Sequence, residues 1–166
     1  MKFLKPLLLA VLAVLAVLAT TSLVAFAKYN GEDRGKPVMP TQVDAEWQAE
    51  CSSCHLAYPP GLLPAASWNK VMQGLDKHFG TDASLSSQDT QEISAFLEKS
   101  GSNRWSANSA PLRITEGAWF KAKHTSGEIN PAVWKRASVK SPANCLACHS
   151  GASKGDFDED RVHIPK

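Results

Sequence analysis

Cys51-Ser52-Ser53-Cys54-His55 recurs as Cys145-Leu146-Ala147-Cys148-His149, and the two copies use all four cysteines of the 166-residue chain. Each copy sets two thiols about one helical turn apart, with an imidazole directly after the second. Thiols so spaced can add to the two vinyl groups of one porphyrin, and the adjoining imidazole then falls beneath the iron. Cys-x-x-Cys-His is the attachment signal of c-type haem. A four-cysteine zinc site requires no histidine after each second cysteine, and a disulfide framework would not repeat one spacing so closely. The motifs predict two covalently bound haem c groups. Cys51, Cys54, Cys145 and Cys148 are the expected attachment points, and His55 and His149 the proximal iron ligands.

Residues 1–27 suit export of such a protein. Lys2 and Lys5 precede an apolar run from Leu7 to Ala19, and Ala25-Phe26-Ala27 offers a small-x-small cleavage site before Lys28. The reading is a signal peptide. Leu7 to Ala27 is 21 residues broken only by Thr20, Thr21 and Ser22, so an uncleaved segment would also be long enough to anchor the protein. Either way Lys2 and Lys5 stay cytoplasmic and the haem motifs face outward. The expected compartment is a bacterial periplasm, with the protein soluble or N-terminally anchored.

The formal charge of +2 comes from 18 basic and 16 acidic residues. Loss of residues 1–27 removes two lysines and no acid, leaving 16 of each on 139 residues. Four haem propionates would make that chain mildly acidic, which argues against a nucleic-acid surface. Its length suits one domain, with porphyrin supplying much of the core.

Residues 28–43 are polar, punctuated by Gly and Pro, and read as a flexible tether before a domain spanning 44–166. Trp47, Cys51 and Cys54 share helical spacing, so the first motif is expected at the end of a short helix that Tyr58-Pro59-Pro60-Gly61 stops. Ser67 is the expected cap of a second helix running towards Gly80 with Val71, Leu75 and His78 on one face. Ser86-Ser87-Gln88-Asp89 resembles a capping box, opening a helix that Gly101 ends. Residues 100–113 form a polar connection, Thr115 is a candidate cap for a helix carrying Trp119, Phe120 and His124, and Asn130-Pro131 and Ser141-Pro142 are helix starts. Only Arg161 to Ile164 hints at a strand. The predicted fold is mainly α, short helices and long loops packed around two haems, with little or no sheet.

The sixth iron positions have five candidates: His78, His124, His163, Met39 and Met72. His78 and His124 each follow apolar residues at helical spacing, and an imidazole turned into a core is costly unless it bonds or ligates. Their plain alternative is a solvated histidine at a helix end. His163 sits near the terminus, Met72 reads as core and Met39 lies in the tether. The expected distal ligands are His78 and His124; sequence proximity pairs the first with His55 and the second with His149, while a crossed pairing stays open. The five tryptophans read as core and haem packing. Asp156 to Asp160 lacks the glycine and terminal glutamate of a calcium loop and reads as a solvated acidic turn, with docking to a basic partner as the sharper alternative.

Set side by side, these segments resemble the periplasmic dihaem cytochrome c family. The resemblance rests on Tyr58 to Pro64, His78-Phe79-Gly80, Asp82 to Leu85, Arg113-Ile114-Thr115, Trp119-Phe120 with His124, Cys145 to Gly151, and Gly155 to Val162. It implies a low-potential carrier with two imidazoles on each iron. The implied partners are a membrane b-type cytochrome and a small oxygen-binding monohaem cytochrome c. It also matches His78 and His124 to the family's distal histidines. Filled axial positions point to electron transfer and not to an enzyme. The alternatives are the dihaem subunit of a periplasmic reductase and a small haem peroxidase.

Overall fold

The computed structural model describes residues 37–102 and 111–166. The export segment, the beginning of the tether and Trp105 lie outside the described residues. Among the described residues no helix is long and apolar enough to cross a membrane.

Residues 37–102 pack around three helices, α1 (Ala45–Ser52), α2 (Ala65–Gln73) and α3 (Ser87–Ser100). Asp44 starts α1 by accepting the Trp47 N–H at 2.7 Å, a side-chain cap for one of the orphan donors of the first turn. Trp47 is thereby set at the centre of a cluster with Leu63, Trp68, Met72, Ile93 and Leu97. The Ser86 hydroxyl caps α3 by accepting the Asp89 N–H at 3.1 Å, and Gly101 ends that helix, as the capping pattern predicts. Ile93 and Leu97, one turn apart on α3, are fully buried. Ile93→Ala is expected to cost about 2–5 kcal/mol of stability, because so dense a cluster collapses poorly onto a cavity. A denaturant midpoint equal to wild type would contradict this.

The second helix differs from expectation at both ends. Pro64, extended at ψ 155, takes the cap position, and its carbonyl accepts the Ser67 and Trp68 N–H groups at 2.9 and 3.2 Å. Ser67 is therefore inside α2 and fully buried, not its cap. At the other end Gly74 stops the helix, six residues before Gly80, and Leu75–Lys77 tightens into a 3₁₀ turn. His78 thus leaves the helical face of Val71 and Leu75. It opens a tight turn closed by the Thr81 N–H to its own carbonyl at 3.1 Å. Phe79 occupies that turn at φ +50, a left-handed conformation costly for an aromatic residue.

Residues 111–166 contain α4 (Ala118–Lys123) and a series of 3₁₀ turns joined by loops. Thr115 belongs to the turn Ile114–Glu116, and Gly117 takes the position before α4. Asn130 does cap the turn that Pro131 begins, accepting the Ala132 N–H at 2.9 Å. No strand forms at Arg161 to Ile164; Glu159–Arg161 is another 3₁₀ turn. Pairing of β type among the described residues is limited to two isolated bridges, Pro64 with Ser102 and His78 with Thr81. The fold is mainly helical, as expected.

Packing begins at Val38, within the stretch read as a tether. The Gly61 N–H donates to the Val38 carbonyl at 2.8 Å, and a Cβ on Gly61 would lie 2.6 Å from the Val38 Cα. Glycine is required there for close approach. Gly155, at φ +74, leaves room in the same way for Met39, which a Cβ would meet at 2.7 Å.

Candidate haem sites

Both Cys-x-x-Cys-His segments wind on a single local turn. Cys51 is in the last turn of α1, and Cys54 and His55 follow beyond its end at Ser52. Cys145–Ala147 is a 3₁₀ turn, closed by the His149 N–H to the Cys145 carbonyl at 2.8 Å. None of the four cysteines forms a disulfide with another, and no cluster of three or more His, Cys, Asp or Glu gathers for a metal among the described residues. Burial pushes the Cys51 and Cys145 thiols up to about 11, so neither has the depressed pKa of a thiolate ligand or nucleophile.

Each motif histidine faces a second imidazole. The His55 and His78 ring centroids are 6.1 Å apart with planes 20° from parallel. His149 and His124 are likewise 6.1 Å apart, but their planes cross at 70°. Bonds of about 2 Å from a metal to two imidazoles on its opposite faces put the ring centroids about 6 Å apart. Both pairs have that spacing. The second nitrogen of one ring in each pair is also engaged: His55 Nδ1 lies 2.7 Å from the Leu56 carbonyl, and His124 Nδ1 3.0 Å from the Phe120 carbonyl. A proton on Nδ1, donated to the carbonyl, leaves the Nε2 lone pair for iron. Burial, then the charge of His55 and of Arg113, lowers the His78 pKa; burial, then His124, lowers that of His149, against an opposing pull from Asp156. Both shifts favour the neutral imidazole that ligation requires.

Aromatic side chains frame the pairs. Tyr58 stacks on His55 at 4.9 Å, Phe79 meets His78 edge-on at 4.9 Å, and the Arg113 guanidinium caps Phe79 at 4.0 Å. On the other side Phe120 stacks on His124 at 4.0 Å and 11°, and Phe157 packs edge-on against His149 at 5.3 Å. His124 follows α4 directly, so the helix supplies both the ring beneath the imidazole and the carbonyl that holds its Nδ1. An apolar cleft, partly open to solvent, lies among Cys145, Cys148, His149, His124, Trp119 and Trp134. Paired imidazoles, flanking thiols and apolar walls fit haem at both sites.

Met72 is buried in the α1–α3 cluster and Met39 packs against it. His163 is exposed, and its backbone N–H donates to the Cys148 carbonyl at 3.0 Å. The acidic tail is a folded turn in which Asp156, Asp158 and Glu159 are paired with nearby basic residues. Arg161 holds Asp156 and Asp158 at 2.9 and 3.1 Å, and Lys123 holds Glu159 at 2.9 Å. Phe157, like Tyr58, is a site residue that sequence reasoning missed; its signal was one aromatic side chain in an otherwise charged run.

The model of a family described as dihaem cytochrome c matches residues 47–157. The chain belongs to the dihaem cytochrome c family. It is similar to a solved diheme cytochrome c from Rhodobacter sphaeroides at 40% identity and a TM-score of 0.64, over 69% of this chain and 97% of that one. It is also similar to the diheme cytochrome from Shewanella baltica OS155, at 41% identity and a TM-score of 0.64, over 73% of this chain and 92% of that one. A comparison with curated proteins finds no match. This dihaem cytochrome carries two c-type haems and is an electron carrier. Each haem supplies a one-electron iron couple; the chain's part is to hold, orient and shield it.

Proposed function

We propose that this cytochrome is a periplasmic, low-potential carrier with two imidazoles on each iron. His55 and His78 serve the N-terminal haem, and His149 and His124 the C-terminal haem, with thioethers at Cys51, Cys54, Cys145 and Cys148. The observation that carries this reading is the 6.1 Å separation of both imidazole pairs. A second imidazole at that distance occupies the face of the iron that a peroxidase or reductase would keep open. The pairing of His78 with His55 and of His124 with His149 follows sequence proximity. Imidazole on both faces, without a thioether sulfur, favours low potential. Residues 1–27, with their basic start, apolar run and Ala25-Phe26-Ala27, support export.

The proposed donor is a membrane b-type cytochrome and the proposed acceptor a small oxygen-binding monohaem cytochrome c. Charge is distributed unevenly: residues 37–102 carry three lysines against eight acids, and residues 111–166 nine basic against six acidic residues. Asp44, the cap of α1, and Glu46 and Glu50 within it lie near Asp89 and Glu92 of α3, and these neighbours, after desolvation, push the Glu46 carboxyl up. That acidic face, not the tail with three of its four acids paired, is the better docking surface for a basic acceptor.

The test is ligand accessibility measured together with transfer. Reduced wild-type protein should bind carbon monoxide slowly or not at all and show negligible peroxide turnover. It should still reduce a basic monohaem cytochrome rapidly, at a rate that falls as salt screens the encounter. Rapid carbon monoxide binding with saturable peroxidase activity would overturn the proposal.

A further inference from the structure

A contact between the two haem sites lies outside both Cys-x-x-Cys-His motifs. The Tyr58 ring lies 4.9 Å from the His55 ring with planes 29° apart. Its hydroxyl reaches across 85 residues of sequence to donate to the Ala143 carbonyl at 2.8 Å. That same carbonyl accepts the Cys145 N–H at 3.0 Å. One acceptor therefore joins a ring on the first motif's imidazole to the backbone of the second motif's first cysteine.

Both ends of this bridge are held. Ala57, Pro59 and Pro60 around Tyr58 are buried, and the Pro60 carbonyl is fixed by the Trp68 indole N–H at 2.7 Å. At the other end the Ser141 hydroxyl accepts the Ala143 N–H at 3.1 Å, and the Asn144 side-chain amide donates to the carbonyl of fully buried Val139 at 3.0 Å. Ordering a phenol against one partner on each side costs conformational entropy. Packing alone would be served as well by phenylalanine, which makes no claim on a carbonyl far away in sequence. The hydroxyl makes the crossing.

We propose that Tyr58 is a positioning residue that couples the two haems for internal electron transfer. It offers a short route from the His55 ring through its own ring and hydroxyl to the Ala143 carbonyl, then by the Cys145 N–H to the thioether side. One electron moves: one iron is oxidised from Fe(II) to Fe(III) as the other is reduced from Fe(III) to Fe(II). No bond forms, and the phenol keeps its proton. The proposal rests on the reading of His55 as an iron ligand and of Cys145 as an attachment point.

The experiment uses the full holoprotein, wild type and two variants, Tyr58→Phe and Tyr58→Leu. The first keeps the stacked ring and removes the hydrogen bond; the second removes both. A photoexcited ruthenium dye injects one electron, and absorbance follows its redistribution between haems at driving forces matched from the two measured midpoint potentials. Tyr58→Phe should slow redistribution several-fold, and Tyr58→Leu by about an order of magnitude, while both low-spin ferric signals persist. Redistribution as fast as wild type in Tyr58→Phe, with both signals intact, overturns the proposal even if its thermal stability falls, since a merely structural role would move stability alone. If Tyr58→Leu fails to assemble both haems, Tyr58→Phe alone decides. Failure of the underlying ligand reading appears separately, as a missing low-spin signal in wild type.

Discussion

Replacing Cys145 and Cys148 together by alanine should yield a protein with one haem whose residues 111–166 exchange their amide hydrogens far faster than in wild type. The reason is the distribution of buried apolar groups. The buried hydrophobic residues described in 111–166 are Val133, Val139 and Ala152, whereas 37–102 contains Trp47, Leu63, Trp68, Met72, Ile93 and Leu97. In the C-terminal region Trp119, Phe120, Trp134 and Phe157 remain only partly buried, around the cleft that holds the second motif. A porphyrin bound in that cleft would cover them and supply the centre of a core. Small folds that lack apolar mass commonly depend on a cofactor or cross-link in this way. The α1–α3 cluster should keep its protection. Wild-type protection across 111–166 in a one-haem variant would show that these loops hold themselves together.

A comparably large effect is expected at His78 and His124, the proposed distal ligands. His78→Ala and His124→Ala should each convert one iron to a high-spin form that binds carbon monoxide rapidly, and leave the other low-spin. Alanine cannot reach the metal, and few substitutes lie near. His78 is flanked by Phe79 and Arg113, and His124 by Phe120 and Trp134, none of which offers a neutral nitrogen or sulfur donor in the right position. His163→Ala should change neither iron, because that residue is exposed. Conversion of an iron by His163→Ala with no effect of His124→Ala would overturn the assignment of the C-terminal haem.

Much of this was legible from local signals. The repeated motif announced the cofactor, and Ser86 with Gly101 bounded α3, because capping depends on residues within one turn of each other. The surroundings of His78 were less legible. Its spacing from Val71 and Leu75 suited a helix, but Gly74 and the tight turn Leu75–Lys77 broke the period and turned the imidazole by another route towards His55. The start of α2 was missed because Pro64 caps with its backbone carbonyl, which leaves no polar side chain to read. The roles of Val38, Met39 and Tyr58 were beyond pattern reading, since their partners Gly61, Gly155 and Ala143 are set by the tertiary fold.

On the proposed ligation, the unequal twist of the imidazole pairs would give the irons separate magnetic identities. With iron held between His55 and His78, planes 20° apart would let both rings act on the same d orbital and split a near-degenerate pair. At 70°, His124 and His149 as the two ligands would act on different members of that pair and leave them nearly equal in energy. The ferric N-terminal haem should then give a rhombic resonance and the C-terminal haem a strongly anisotropic one. Two cofactors of one chemical kind thereby become individually readable, and a frozen sample stopped after a single electron would reveal which of them holds it.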